Sequence, residues 1–183
     1  MRGILKKIPN KYYKSVFEID FLSLKSQGIK LLLIDVDNTL VAYDEPLPTK
    51  KVEELYKNLD NLGFEIILVS NNNFKRVSLF ASSQNYNYVY KAFKPLKRGY
   101  KKALRLASRN YLKEEVSVIG DQFFTDIYGE NKMGFYTILV APVKEITDAW
   151  TTRINRYRET KLIKKLKKNY QTIYDEVLTN YEM

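Results

Sequence analysis

Neither cysteine nor histidine occurs anywhere in the 183 residues. Without cysteine there is no disulfide framework and no thiolate nucleophile. Without histidine there is no imidazole base, no phosphohistidine and no histidine-ligated zinc. Any catalysis must therefore run on carboxylates, hydroxyls, amides and lysines, helped at most by a hard, oxygen-seeking metal. No apolar run reaches the roughly 18 residues a membrane-spanning helix needs. The opening MRGILKKIPNKYYKSVFEID has no continuous apolar h-region and no small-residue cleavage site, so it does not read as a signal peptide, and a cytoplasmic location is expected.

Apolar residues make up 45% of the chain, enough for a real core, and charged residues 28%, enough for a soluble surface. The net charge of +10 is unevenly placed. Residues 1–17 hold Arg2, Lys6, Lys7, Lys11 and Lys14 and no acid, and residues 153–168 set eight lysines and arginines against Glu159 alone. The remainder is close to neutral. Basic ends of this kind suit an anionic partner, either a phospholipid surface or nucleic acid. They are also what lysine-rich helices look like when they only keep a small protein soluble.

Short β-rich apolar runs alternate with helical stretches. LLLIDVD (31–37), EIILVSN (65–71), YVYKAF (88–93), VSVIGD (116–121) and YTILVA (136–141) read as five strands. Helical patterns fall between them, at about 48–62, 74–84, 96–110 and 125–133. This alternation predicts an α/β, Rossmann-like fold, a five-stranded mainly parallel sheet with helices on both faces. Residues 147–181 read as helix throughout, with Ile154, Tyr157, Leu162, Leu166, Tyr170, Ile173, Val177 and Tyr181 on one apolar stripe. The expected organisation is a basic N-terminal segment (1–27), a catalytic core (28–146) and an amphipathic basic helical extension (147–183). Trp150 and the tyrosines of that extension are compatible with anchoring at a membrane interface.

In open parallel sheets ligands bind beyond the carboxyl ends of the strands, and the chemically interesting residues lie there. Asp35 and Asp37 close the first run. Two carboxylates at one strand mouth repel unless a cation joins them, and magnesium, with its octahedron of oxygens, does so. A carboxylate can also attack phosphorus to give an aspartyl-phosphate, while a second one protonates the leaving oxygen and later deprotonates water. Thr39 completes Asp-x-Asp-x-Thr. Ser70 and Asn71 follow the second run, where a hydroxyl and free peptide N–H groups suit a phosphate oxygen, although helix capping would use the same residue types. Lys94, ahead of Pro95, offers a cation for a phosphoryl group. Gly120-Asp121 follows the fourth run. Asp121 can add a metal oxygen, Gly120 allows a close backbone approach, and Asp126 can serve the site or the helix dipole.

Taken in order, Asp-x-Asp-x-Thr, Ser, Lys-Pro and Gly-Asp-x-x-x-x-Asp resemble the four motifs of the haloacid dehalogenase (HAD) superfamily of phosphatases, over residues 28–142. VDNTLVAYDEP, VSNNNFKRV, YKAFKP and VIGDQFFTDIYGENKMGFYTILVAPV further resemble its YqeG-type branch in subfamily IIIA, which is similar to the phosphatidylglycerophosphate phosphatases. The resemblance implies Asp35 as nucleophile, Asp37 as acid and base, and Ser70, Asn71 and Lys94 as phosphate holders. It implies Mg2+ bound by Asp35, the Asp37 carbonyl and Asp121, with Asp126 beside Asp121 at the magnesium end and Thr39 and Gly120 in support. The intervals from Asp37 to Ser70 and from Ser70 to Lys94 leave no room for the inserted cap domain that encloses small substrates in many relatives. An open site suits a phosphate carried on something large. Dephosphorylation of phosphatidylglycerophosphate at a membrane surface is the leading expectation. Phosphatase action on nucleic-acid ends or small phosphometabolites, and a non-catalytic ribosome- or RNA-associated phosphate-binding module, are the alternatives.

Overall fold

The computed structural model describes residues 7–82, 85–144, 150–179 and 181, with only the backbone of 150–156. Arg2, Lys6 and the side chains of Trp150 and Ile154 thus lie outside the described residues. The sheet has six strands, all parallel, in the spatial order β1-β6-β5-β2-β3-β4. They are β1 (Lys11–Tyr13), β2 (Leu31–Ile34), β3 (Glu65–Val69), β4 (Asn87–Val89), β5 (Val116–Gly120) and β6 (Tyr136–Val140). The helices are α1 (Phe21–Ser26), α2 (Lys50–Asn61), α3 (Phe74–Ser82), α4 (Lys97–Leu106), α5 (Tyr128–Asn131), α6 (Trp150–Asn169) and α7 (Gln171–Leu178).

The sixth strand corrects the expectation of five. β1 pairs with β6, Tyr13 opposite Val140. Its sequence, Lys-Tyr-Tyr, carries no apolar run because it is a three-residue edge strand with half-exposed side chains. Residues 7–27, read from the sequence as a basic segment ahead of the core, thus supply an edge strand and α1. Val16, Ile19, Phe21 and Leu24 from this stretch pack into the main apolar cluster.

The central strand β2 has four apolar residues, all fully buried, as expected where helices cover both faces. Leu32 and Ile34 join the cluster under α1 and α2, while Leu31 and Leu33 join the one under α4. Each such burial is worth roughly 1.5–3 kcal/mol. α2 starts where the Thr49 side chain accepts a hydrogen bond from Val52 N–H, and it buries Val52, Leu55, Tyr56 and Leu59 on one face. α4 tolerates Gly99 for a steric reason: a Cβ there would come within 2.4 Å of the Ala92 carbonyl oxygen.

The C-terminal stretch is two helices, not one. The chain leaves the helical region at Tyr170 (φ −145°, ψ 47°) and restarts as α7. The bend turns both apolar sides toward the domain. Leu162, Ile163, Leu166, Tyr174 and Leu178 are buried against Ile8, Phe123, Ile127 and Leu139. Tyr157, assigned to the stripe from the sequence, is instead 62% exposed. Lys161, Lys164, Lys165, Lys167 and Lys168 remain on the outside. Among the described residues no helix is long and apolar enough to cross a membrane.

Candidate active site

β2 is the switch point of the sheet. Crossovers run to β3 and β4 on one side of it and to β5 and β6 on the other. The loops leaving β2, β3, β4 and β5 carry the candidate residues, and the fold brings them together in two polar groups.

The first group surrounds Asp35. Its peptide N–H continues the ladder one step past β2, donating to Ile119 O at 2.9 Å. Lys94 Nζ lies 2.6 Å from Asp35 Oδ1 and 2.6 Å from Asp126 Oδ1, all three side chains being at most 10% exposed. Carboxylate oxygens of Asp35, Asp121 and Asp126 lie within 4.8 Å of one another. Thr39 Oγ1 reaches Asp121 Oδ1 at 3.4 Å. Asp126 Oδ2 accepts from Thr125 Oγ1 at 3.1 Å and from Gln122 N–H at 3.2 Å. Glycine is required at position 120, because a Cβ there would sit 2.4 Å from the Asp126 side chain.

Three buried carboxylates against one lysine leave an excess of negative charge. Burial pushes the Asp35 carboxyl up, Lys94 pulls it back, and Asp126 and Asp37 add to the rise, leaving it at about 7. Burial pulls Lys94 down, but Asp126 and Asp35 outweigh it and the net shift is upward. A clustered set of hard carboxylate oxygens with surplus negative charge fits a divalent cation. The Asp37 carboxylate is not in this cluster, whereas Asp126, expected beside Asp121 at the magnesium end, is.

The second group surrounds Asp37. β2 ends at Ile34, so strand alternation no longer points Asp35 and Asp37 the same way. Asp37 Oδ2 accepts from Ser70 Oγ at 3.3 Å and from Asn72 Nδ2 at 3.2 Å. Oδ1 accepts from Arg76 Nε at 3.0 Å, and Arg76 Nη2 lies 2.9 Å away. Arg76 and Asn72 escaped the sequence reading. Arg76 stands in the VSNNNFKRV run, but only the turn from β3 into α3 folds it back onto Asp37.

The Asn71 side chain also has a structural task. Its Oδ1 accepts from Lys94 N–H at 2.7 Å and its Nδ2 donates to Lys94 O at 3.3 Å. The side chain therefore holds the backbone that presents Lys94. Lys91 and Phe93 in that same loop adopt φ of 44° and 55°, a region non-glycine residues seldom visit. Ser70 O, which accepts from Ala92 N–H at 3.0 Å, and Asn72 O, which accepts from Lys91 N–H at 2.8 Å, help hold them there.

A parallel α/β sheet with Asp-x-Asp-x-Thr, Ser, Lys-Pro and Gly-Asp-x-x-x-x-Asp at the ends of four strands resembles the arrangement of the HAD superfamily of phosphatases. No family model matches the chain. Over 175 residues it is 37% identical to the probable phosphatase YqeG of Bacillus subtilis (strain 168), an alignment that takes in 94% of this chain and 100% of that protein. The crystal structure of an uncharacterized protein from Listeria monocytogenes serotype 4b shares the fold, with a TM-score of 0.51 and 17% identity over 66% of this chain and 85% of that one. The chain belongs to the YqeG family of phosphatases.

Proposed function

We propose that the protein is a magnesium-dependent phosphomonoesterase that works through an aspartyl-phosphate on Asp35 and acts on phosphatidylglycerophosphate at a membrane surface. The observation that supports the chemistry most is the Lys94 ammonium shared by Asp35 and Asp126 inside a group of three buried carboxylates. Asp35, Asp121 and Asp126 would hold the cation, with the Asp37 carbonyl as a further oxygen. Once bound, it would offset the charge of both carboxylates and phosphate.

In the first step an Asp35 oxygen attacks phosphorus. The bond to the leaving oxygen breaks, and Asp37 gives that oxygen its proton. In the second step Asp37 takes a proton from water, the water oxygen attacks phosphorus, and the bond to Asp35 breaks to release inorganic phosphate. Lys94 holds Asp35 in place and stabilises charge on the transferring group.

The substrate reading rests on two features. The stretches from Asp37 to Ser70 and from Ser70 to Lys94 each hold one helix and one strand, which leaves the strand ends open to a phosphate on a large carrier. Phe74 at the start of α3, and Phe93 and Leu96 in the loop around Lys94, are 55%, 56% and 63% exposed. Apolar side chains there suit acyl chains better than a sugar or a nucleotide. Membrane recruitment falls to the outward lysines of α6, since its apolar side is covered by the domain.

The test is phosphate release from phosphatidylglycerophosphate in vesicles, a nucleoside monophosphate and a sugar phosphate, each with magnesium and with excess EDTA. Wild type should prefer the lipid and need magnesium, and Asp35→Asn should lose turnover by orders of magnitude. Release in EDTA, or by Asp35→Asn, would defeat the mechanism. Preference for the nucleotide would replace the substrate.

A further inference from the structure

We propose that Arg76 is a positioning residue for the leaving-group acid, and that it directs the catalytic proton to Asp37 Oδ2. This rests on the aspartyl-phosphate mechanism proposed for Asp35.

The two aspartates of the Asp-x-Asp pair have separate cations. Lys94 sits on Asp35, and Arg76 sits on Asp37. Arg76 is not a solvated surface arginine. Its side chain is only 12% exposed, and its guanidinium lies 5.5 Å from the ring centroid of the fully buried Phe80. Its peptide N–H donates to Asn73 Oδ1 at 3.0 Å, which fixes the first turn of α3 on which it rides.

The consequence concerns where a proton can reside. Arg76 Nε donates to Oδ1, and the Nη2 atom of the same guanidinium lies 2.9 Å from that oxygen as a charge contact. A guanidinium is a donor only and stays charged, so the oxygen that takes its Nε–H and lies against its positive charge is the one a proton leaves free. Oδ2 is different. One of its neighbours is the Ser70 hydroxyl, which can turn to accept, and the other is the Asn72 amide, which needs only one lone pair. Protonation therefore belongs on Oδ2, on the side of Ser70 and the β3 strand end. Without Arg76 the carboxyl could rotate, and the proton would be shared between two oxygens of which one is wrongly placed.

Loss of a positioned acid is felt most by leaving groups that need a proton. The experiment compares kcat/KM for p-nitrophenyl phosphate and for an alkyl phosphate in wild type, Arg76→Gln, Arg76→Lys, Asp37→Asn and the double variant Asp37→Asn/Arg76→Gln. Inhibition by inorganic phosphate is measured alongside. General acid catalysis contributes about 10²–10⁴-fold, so Arg76→Gln should cost the alkyl ester ~10²-fold and the nitrophenyl ester less than ~10-fold. Inhibition by phosphate should hold its wild-type constant. Arg76→Lys, which keeps the charge but not the fixed planar Nε–H donor, should recover only part of the loss. Adding Arg76→Gln to Asp37→Asn should cost little more than Asp37→Asn alone, because the two act as a unit.

Equal losses on both esters would overturn the proposal. So would weakened inhibition by phosphate, which would make Arg76 a phosphate ligand, or additive losses in the double variant. Arg76→Lys and the cycle on the Asp37→Asn background decide the matter even if Arg76→Gln folds poorly. The aspartyl-phosphate mechanism fails separately, on magnesium-independent release or an active Asp35→Asn.

Discussion

Asn71 grips the Lys94 peptide from both sides, accepting from its N–H and donating to its carbonyl, across 23 positions of sequence. The lysine that pairs with Asp35 and Asp126 is therefore aimed by an amide from a neighbouring strand end. Asn71→Ala removes both bonds without touching Lys94 itself. A misplacement of about 1 Å can cost ~10²-fold in rate, and a loss of that order in kcat/KM is expected. Thermal unfolding should show a smaller cost, about 1 kcal/mol for hydrogen bonds that are partly open to water. A variant with full turnover would show that Lys94 is held by other contacts.

Glu159, 3% exposed, brings the C-terminal extension to the acidic loop. Its Oε1 accepts from Phe123 N–H at 2.9 Å, two residues after Asp121 and three before Asp126. Glu159→Ala should lower stability by roughly 1–3 kcal/mol, because a buried N–H loses its acceptor. It should also raise the magnesium concentration needed for half-maximal activity, since the loop bearing two of the three clustered carboxylates loses its tether. Glu159→Gln keeps an acceptor oxygen and should restore most of both. Urea unfolding and a magnesium titration of activity check this. Equal behaviour of the two variants would mean that charge, not the bond, is what counts.

Glu130, fully buried in α5, has its carboxyl pushed up to about 8, first by burial and then by the Asp126 charge. The folded state thus holds this proton more tightly than the unfolded chain, whose glutamate titrates near 4.5. Its contribution to stability is full below about pH 4.5 and is lost as pH rises to about 8. Glu130→Gln cannot ionise. Its melting temperature relative to wild type should rise steadily across that window, in thermal melts from pH 4 to pH 9. Parallel melting curves would show that Glu130 is ionised in the fold.

Among the described residues of α6, the lysines lie apart from the apolar side. Leu162, Ile163 and Leu166 point into the domain, whereas Lys164, Lys165, Lys167 and Lys168 point out. Reversing those four lysines to glutamate should abolish sedimentation with anionic vesicles at low salt. Each basic residue near such a surface is worth about 1 kcal/mol, and salt screens it. Turnover of a small soluble ester should stay close to wild type. Undiminished vesicle binding would rule out this face, and tight, salt-sensitive RNA binding without vesicle binding would favour a nucleic-acid partner.

Much of this molecule could be read along the chain. The buried strands announced themselves as continuous apolar runs, and Asp35, Ser70, Lys94 and Asp121 come directly after those runs or lie within a few residues of them. These features are local: a run of Leu and Ile needs cover on both faces, and a parallel sheet gathers the loops leaving its strands at one edge. Strand β1 was not legible, because an edge strand needs no apolar run. The break at Tyr170 was missed because the apolar periodicity continues through it.

What only the tertiary structure decided is which group serves which. The Asp37 carboxylate turns from the acidic cluster to Arg76, the Asn71 side chain holds the Lys94 backbone, and Glu159 reaches Phe123 from 36 positions away. Residue types at strand ends supply the chemistry, but a carboxylate takes its role from the cation that burial brings within about 3 Å of it. That distance is set by packing between segments remote in sequence.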